Sequence, residues 1–278
     1  MTASVNPVIP NPMGPSGRPT PELSVVIPAH NEAWCIAHTL DQVHATLHGL
    51  QADIVVVDDR SADATSAEVQ RWAAAHPRTP VILRRLVAGG GKGAAVRAGV
   101  LASTGRRVAY IDADLDIPAK ELRRLYLLAR RAQLPAVVAS KRQICWRTKG
   151  LPLLRRVVSV SFSRLVRVMF RLQVQDTQTG LKLFDGDWVR AAVARLQTGG
   201  FLFDVELLAA AQRCGLEVRE IQVEYTPQRD GTRIGLRHIV ACMADLVRIW
   251  YANRRFAPIP AAVATPSWEV AAYADPDA

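Results

Sequence analysis

Short apolar runs alternate with segments of helical periodicity over the first half of the chain. The runs that predict strands are Leu23–Pro28, Ile54–Asp58, Val81–Leu83, Val108–Ile111 and Ala136–Ala139. Between them, apolar residues recur three and four positions apart, which predicts helices over 32–48, 61–75, 94–102 and 119–131. Because strands that are apolar on both sides must be covered on both faces, the pattern predicts an α/β domain with a mostly parallel, Rossmann-like sheet between helices.

The pattern changes after residue 140. It predicts a basic amphipathic helix over 152–172, a polar loop over 175–180, a short strand over 181–184, helices over 187–196 and 203–214, and an alternating strand over 217–225. Leu236–Arg255 has helical spacing, with Trp250 and Tyr251 near its end and several arginines, which is typical of an amphipathic helix on a membrane surface. A helix that covers the core of the same domain fits this pattern equally well.

Both ends of the chain differ in composition from the middle. Residues 1–21 contain many prolines and almost no charge, and residues 257–278 are rich in alanine and proline, so we expect both to be disordered. We therefore divide the chain into an arm (1–21), one α/β domain (22–235), an amphipathic membrane-surface helix (236–256) and a tail (257–278).

Length and composition bound the class of protein. A chain of 278 residues with 49% hydrophobic content can build one large core. No apolar run approaches about 18 residues and no secretory signal pattern is present, so we expect neither a transmembrane helix nor export. The four cysteines are scattered without a CxxC pair, which suits a reducing cytoplasm rather than disulfides or a zinc site.

The net charge of +10 predicts an anionic partner. Nucleic acid, an acidic membrane surface and a phosphorylated substrate all fit this charge. The chain has neither a nucleic-acid recognition motif nor an aromatic stacking platform, which argues against nucleic acid.

Polar and acidic side chains follow three of the predicted strands. They are His30, Asn31 and Glu32 after the first strand, Asp58 and Asp59 after the second, and Asp112, Asp114 and Asp116 after the fourth. Ligands of parallel sheets bind beyond the carboxyl ends of the strands. On an extended backbone the three alternating aspartates point to one side, and a divalent cation held together with a diphosphate would relieve their repulsion. The alternative is that these aspartates, and Asp59 or Ser61 after the second strand, cap turns and helices.

A glycine-rich segment, Gly89–Gly93, precedes the third predicted helix. It lacks the spacing and the Ser/Thr of a Walker loop, and no GxGxxG follows the first strand, so a nicotinamide cofactor is not expected. Free backbone N–H groups and the charge of Lys92 suit a phosphate or nucleotide, whereas a flexible turn is the alternative.

Six motifs in this order resemble the inverting GT-A glycosyltransferases of family 2. They are Val25–Glu32 (VVIPAHNE), Val56–Asp63 (VVDDRSAD), Gly91–Gly99 (GKGAAVRAG), Asp112–Leu115 (DADL), Gln175–Phe184 (QDTQTGLKLF) and Gly200–Leu207 (GFLFDVEL). The last two are similar to the polyprenyl-phosphate branch, the dolichyl-phosphate glucosyl- and mannosyltransferases. The resemblance covers residues 22–235 and implies a GT-A fold.

The resemblance also implies the donor site. It assigns binding of a nucleotide sugar, UDP-glucose or GDP-mannose, to Pro28, Ala29, Glu32, Asp59, Asp112, Ala113 and Asp114. The strand-end pattern adds Asp58 to this site, and the glycine-rich segment adds Lys92. It places Mg²⁺ or Mn²⁺ at Asp114 and Asp116, with Asp114 also catalytic. A hard cation and nearby donors would neutralise the diphosphate leaving group. Asp176 is the second catalytic candidate, as a base or as a carboxylate that orients the acceptor.

The implied acceptor is a polyprenyl phosphate, whose phosphate we expect at Arg142, Arg155, Ser159 and Lys182. Arg155 and Ser159 lie four apart and share a helix face, although a solvated helix face is the alternative for each arginine. The expected enzyme transfers a hexose, with glucose as first choice and mannose as second. It would act peripherally at the cytoplasmic face of the cell membrane, with or without an integral membrane partner. A transferase with a glycan, protein or small-molecule acceptor is the alternative within enzymes.

Overall fold

The fold is that of a computed structural model, which describes residues 20–141, 164–200, 202–226, 228, 236–257 and 259, with no side-chain description for 236–244. The sequence predictions for Arg142, Arg155 and Ser159, for most of the helix 152–172 and for most of the arm and tail lie outside the described residues.

Seven strands form one sheet in the described part of the chain. They are β1 (Leu23–Ala29), β2 (Ala52–Asp58), β3 (Val81–Arg85), β4 (Arg107–Ile111), β5 (Ala136–Ser140), β6 (Leu181–Asp185) and β7 (Val218–Gln222). Their spatial order is β3-β2-β1-β4-β6-β5-β7. All neighbours pair in parallel except β6, which lies antiparallel between β4 and β5. The predicted mostly parallel sheet is therefore confirmed.

Helices cover both faces of the sheet. They are α1 (Ile36–Thr46), α2 (Thr65–Ala75), α3 (Lys92–Ala102), α4 (Lys120–Arg131), α5 (Gly186–Val193), α6 (Phe203–Arg213) and α7 (Leu236–Arg255), and residues 164–170 are also helical. Alternate residues of β1 enter different cores: Val25 and Ile27 pack with α1, α2 and α4, and Val26 packs with α3 and α6. Each fully buried aliphatic side chain contributes about 1.5–3 kcal/mol, so two-sided burial fixes these strands in the sheet.

The described end of α7 covers the core. Leu246 and Ile249 are buried in the cluster that contains α6, and Trp250 packs partly against it. Val247 and Tyr251 are exposed. This packing fits the core-covering alternative for residues 245–255, and attachment of the helix to a membrane stays a prediction. Within the described residues, no helix has the length and apolar character needed to cross a bilayer.

Candidate active site

The acidic segment after β4 is a turn rather than a continued strand. Leu115 has a positive φ of 52°, and its N–H donates to the carbonyl of Asp112 over 3.2 Å. The three aspartates are half-buried, whereas the residue that follows each of them is buried: Ala113, Leu115 and Ile117. The predicted alternation is thus present in burial, but the prediction of an extended backbone was wrong. The apolar residues anchor a turn, and the carboxylates are left at its surface.

The start of α1 fixes this turn from one side. The carbonyl of Ala113 accepts hydrogen bonds from Thr39 Oγ1 (2.5 Å) and Cys35 Sγ (3.3 Å). On the other side, the N–H of Asp112 donates to the carbonyl of Gly180 over 3.2 Å. Sequence patterns did not identify Thr39 and Cys35, since their role depends on a contact more than 70 positions along the chain.

Electrostatic repulsion is concentrated at Asp114. Burial raises the pKa of Asp114 to about 6, with the charges of Asp116, Asp112 and Glu32 adding to the effect. Four carboxylates therefore lie close together, as expected from the ends of β1 and β4. Asp116 is also tied to the segment after β7, because its Oδ1 accepts the N–H of Gln228 over 2.8 Å.

The donor chemistry of Asp114 and Asp116 suits a hard divalent cation. Carboxylate oxygens are ligands that Mg²⁺ and Mn²⁺ prefer, and Mg²⁺ is commonly held by one or two carboxylates plus substrate phosphates. The raised pKa of Asp114 indicates a site where positive charge would be stabilised. Over the described ranges, no three His, Cys, Asp or Glu side chains are grouped to hold a metal ion by themselves.

Lys92 brings a positive charge to the aspartate turn. Its Nζ lies 2.5 Å from Asp112 Oδ1, and both side chains are about one-third exposed. Burial works to lower the pKa of Lys92, but the charges of Asp112, Asp204 and Asp114 outweigh it and raise that pKa. Lys92 is therefore charged and faces the predicted diphosphate site.

Asp59 holds the backbone of the glycine loop, Gly89–Gly93, in place. Its Oδ1 accepts the N–H of Gly90 (3.1 Å) and its Oδ2 accepts the N–H of Gly91 (2.8 Å). The prediction that these two N–H groups are free for a phosphate was wrong in this respect. Asp59 N–H in turn donates to the carbonyl of Ala29 over 2.8 Å, so the ends of β1 and β2 and the glycine loop form one unit. Contact between Asp59 and a nucleotide stays a prediction.

Asp58 has a different place from the one predicted. Its side chain is buried, and its carboxylate accepts hydrogen bonds from Ser61 N–H (2.7 Å) and Ser66 Oγ. Burial raises its pKa but these hydrogen bonds, together with the charge of Arg85, lower it overall. Asp58 therefore orders the turn into α2, and its buried carboxylate is not exposed for contact with a nucleotide.

Glu32 and the end of β1 border the aspartate turn. Pro28 and Ala29 are buried at the last positions of β1. Glu32 is half-buried, and its Oε2 accepts from Trp34 Nε1 (3.0 Å) and Cys35 Sγ (3.3 Å). These residues lie together with the aspartates at the carboxyl edge of the sheet, where the donor site was predicted.

Asp176 lies beside the end of β5. Its Oδ2 accepts the N–H of Lys141 over 3.1 Å, and its Oδ1 accepts the N–H of Gln178 over 3.2 Å. Glu220 on β7 accepts the N–H of Asp176 over 2.9 Å, a support that sequence patterns did not identify. The side-chain nitrogen of Gln178 is buried and has no hydrogen-bond partner within the described part of the chain. An oxygen atom of a bound substrate could accept a hydrogen bond from this nitrogen.

Lys182 is not available to an acceptor phosphate, and that prediction was wrong. Its side chain is fully buried, and its Nζ donates to Asp204 Oδ1 (2.8 Å) and to the carbonyl of Thr179 (2.6 Å). Tyr110 Oη also donates to Asp204 Oδ1 over 2.5 Å. Burial lowers the pKa of Lys182, whereas the charge of Lys182 holds the pKa of Asp204 below its usual range. The pair is an internal ion pair beneath the site.

The first turn of α6 supports a second loop, residues 197–200, which contacts the start of α3. Glu206 accepts the N–H groups of Gln197 (3.0 Å) and Thr198 (2.8 Å). The next residue in this loop, Gly199, accepts the N–H of Ala94 over 2.8 Å. The loop 197–200 therefore holds the N-terminus of α3, where Lys92 lies.

The aspartate turn, Lys92 and the glycine-rich segment all lie within residues 24–192. These residues, more than half of the chain, match the family model "Glycosyl transferase family 2". The chain belongs to glycosyltransferase family 2. The predicted family is therefore confirmed.

Curated family 2 relatives cover most of this chain. Glycosyltransferase AglD of Haloferax volcanii is 31% identical over 240 residues, which is 83% of this chain and 37% of AglD. The chain thus spans little more than a third of that relative. Dolichyl-phosphate beta-glucosyltransferase of Dictyostelium discoideum is 28% identical over 240 residues, covering 82% of this chain and 73% of the relative.

A solved structure supports the same fold. Glucosyl-3-phosphoglycerate synthase from Mycobacterium tuberculosis, in complex with Mn²⁺, UDP and glucosyl-3-phosphoglycerate, has a TM-score of 0.62 at 19% identity. The match covers 85% of this chain and 81% of that chain. The likeness confirms the GT-A fold predicted for this family 2 glycosyltransferase.

Proposed function

We propose that this enzyme transfers glucose from UDP-glucose to a polyprenyl phosphate, with inversion of the anomeric centre, at the cytoplasmic face of the membrane. The observation that carries the proposal is the meeting of Asp112, Asp114 and Lys92 at the carboxyl edge of the sheet. Glucose and the lipid phosphate are supported by the name of the Dictyostelium relative, and UDP by its presence in the complex of the Mycobacterium synthase. The enzyme would be peripheral, alone or with an integral membrane partner.

The donor side would work by neutralising charge. Asp114 and Asp116 would hold Mg²⁺ or Mn²⁺, and Lys92 would pair with a phosphate oxygen of the donor. When bound, the cation would stabilise the negative charge that develops on the leaving diphosphate. Glu32 and the backbone of Pro28 and Ala29 would border the nucleotide.

The acceptor side would work by positioning. A lipid phosphate is already anionic, so it needs orientation more than deprotonation. We assign this role to Arg142, Arg155 and Ser159, with Asp176 orienting the acceptor beside the end of β5, where its carboxylate holds Lys141 N–H. Guanidinium groups suit the task because they bind phosphate through two parallel hydrogen bonds.

Incubation of the purified protein with labelled sugar nucleotides and undecaprenyl or decaprenyl phosphate, followed by lipid extraction, tests the proposal. We expect label in the lipid fraction from UDP-glucose, more than from GDP-mannose, and its loss in EDTA with recovery on adding Mn²⁺ or Mg²⁺. EDTA-resistant turnover would count against the metal assignment. Label that reaches only water-soluble acceptors would favour a glycan, protein or small-molecule acceptor.

Arg155→Ala should separate the acceptor from the donor site. We expect lipid labelling to fall by about 100-fold, because the acceptor phosphate would lose a charged hydrogen-bond partner, whereas slow hydrolysis of UDP-glucose is unchanged. Arg164→Ala, which removes an exposed arginine from the helical segment 164–170, is the matched control and should keep full activity. Equal loss of transfer and hydrolysis in Arg155→Ala would place this arginine outside the acceptor site.

A further inference from the structure

We propose that Lys92 acts as a resident counter-ion of the aspartate turn, so that the divalent cation is bound strongly only together with the nucleotide sugar. The inference rests on the proposed function, because it concerns the same donor site. It assigns Lys92 a second role besides binding phosphate: it opposes binding of the metal ion alone.

The charges around the turn carry the argument. Asp112, Asp114 and Asp116 lie on one turn, in which Leu115 N–H donates to the carbonyl of Asp112 over 3.2 Å and Asp116 N–H donates to Asp114 Oδ1 over 3.3 Å. The ammonium of Lys92 is in direct contact with Asp112 at 2.5 Å. Below the turn, Asp204 pairs directly with Lys182 at 2.8 Å, and its charge also acts on Lys92. Lys92 is therefore a cation in direct contact with the carboxylates of the turn.

The backbone of Lys92 is held firmly. Gly91, immediately before it, has a φ of 77°, a conformation that glycine adopts at little cost, and its N–H is bound by Asp59 over 2.8 Å. Gly93, immediately after it, packs so closely that a Cβ there would lie 2.3 Å from Phe203 Cβ. Because the backbone is fixed and the side chain is about one-third exposed, the ammonium can change partner by rotation of its side chain alone.

This geometry sets up a competition. A metal ion that arrives alone meets the ammonium on Asp112 and is repelled by it. A nucleotide sugar that arrives alone meets the net negative charge of the turn. When both arrive together, the ammonium of Lys92 pairs with the diphosphate and the carboxylates bind the metal ion. Each of these charges then has a partner of opposite sign. The two ligands should therefore increase each other's affinity by the same factor.

Electron paramagnetic resonance of Mn²⁺ measures this coupling without turnover. For the wild-type protein we expect UDP to tighten Mn²⁺ binding by about tenfold or more. In Lys92→Met, Mn²⁺ alone should bind about tenfold more tightly than to wild type, and the gain from UDP should shrink to less than about threefold. Lys92→Arg keeps the charge and should behave as wild type.

The matched control is Lys120→Met. Lys120 is likewise the first residue of a helix and likewise pairs with a carboxylate, at 2.6 Å from Glu224, but it lies outside the donor site. It should leave Mn²⁺ binding unchanged, and thermal unfolding checks that both variants are folded. Equal affinity of wild type and Lys92→Met for Mn²⁺ alone would overturn the inference, even if UDP-glucose transfer is observed. Failure of wild type to bind Mn²⁺ with UDP would overturn the inference and the proposed donor together.

Discussion

Asp114→Asn is expected to reduce glucosyl transfer by about 1,000-fold while making the folded domain more stable. The loss follows because Asp114 would hold the cation, and removing a group that stabilises the developing negative charge typically costs a factor of about 100 to 1,000. The gain follows because Asp114 is held among like charges, and burial together with Asp116 and Asp112 raises its pKa to about 6. Asparagine keeps the oxygen that accepts the N–H of Asp116 over 3.3 Å and removes the repulsion.

The stability gain should depend on pH. The folded-state pKa of Asp114, about 6, lies above the ordinary value of 3.8, so the folded carboxyl binds its proton more tightly than the unfolded one. Stability from this proton is complete below about pH 4 and is lost as the pH rises through 6. The variant escapes this loss, so its advantage should grow from pH 4 to pH 7. After allowance for solvent screening, the gain at pH 7 should be about 1 kcal/mol.

Thermal unfolding measured at pH 4 and at pH 7 without metal, alongside transfer assays, checks both parts of this prediction. A gain of about 1 kcal/mol corresponds to a rise in Tm of about 2–4 °C for a domain of this size. Asp187→Asn is the matched control, because Asp187 has a 64% exposed side chain and lies on α5, away from the site. It should change neither activity nor Tm appreciably. An Asp114→Asn variant that is inactive and also less stable at pH 7 would show that the carboxylate holds the turn together.

The sheet could be predicted from local sequence because burial leaves a direct mark on it. Strands covered on both faces must be apolar over most of their length, and β1, β2, β4 and β5 carry polar or charged residues only at or next to their ends. The direction of β6 could not be predicted in this way. Its apolar residues would suit either orientation, and the antiparallel pairing with β4 and β5 is a contact between distant parts of the chain that local sequence does not record.

The site was predictable at its rim and not beneath it. Acidic residues after strand ends indicate a ligand edge, since carboxyl ends of parallel strands meet there. Lys182 and Asp58 are also polar and belong to family motifs, so local sequence could not set them apart from the residues of the rim. Their buried positions depend on hydrogen-bond partners elsewhere in the chain. Asp204 lies 22 positions after Lys182, and Ser66 lies 8 positions after Asp58. A buried charge is recognised only when its partner is known.

Gly180→Ala should test whether the position of Asp112 matters to the reaction. An added Cβ would lie 2.1 Å from Asp112 Oδ2 and 2.5 Å from its Cγ. The aspartate must then move, which would break its contact with Lys92 and shift the turn whose backbone Gly180 holds. A displacement of about 1 Å at a reacting centre can cost about 100-fold, so we expect kcat/KM to fall by about that factor. Overpacking should also cost about 1–3 kcal/mol of stability.

Gly200→Ala separates this contact from a general effect of alanine. Neither Gly180 nor Gly200 has a positive φ, so alanine fits both backbones, but a Cβ at Gly200 would meet no atom of the described residues within 4 Å. Transfer assays and thermal unfolding of the two variants should therefore diverge, with Gly200→Ala close to wild type in both. If Gly180→Ala transfers glucose within about threefold of the wild-type rate while its Tm falls, Asp112 is displaced without consequence. Donor binding would then depend on Asp114 and Lys92 but not on the position of Asp112.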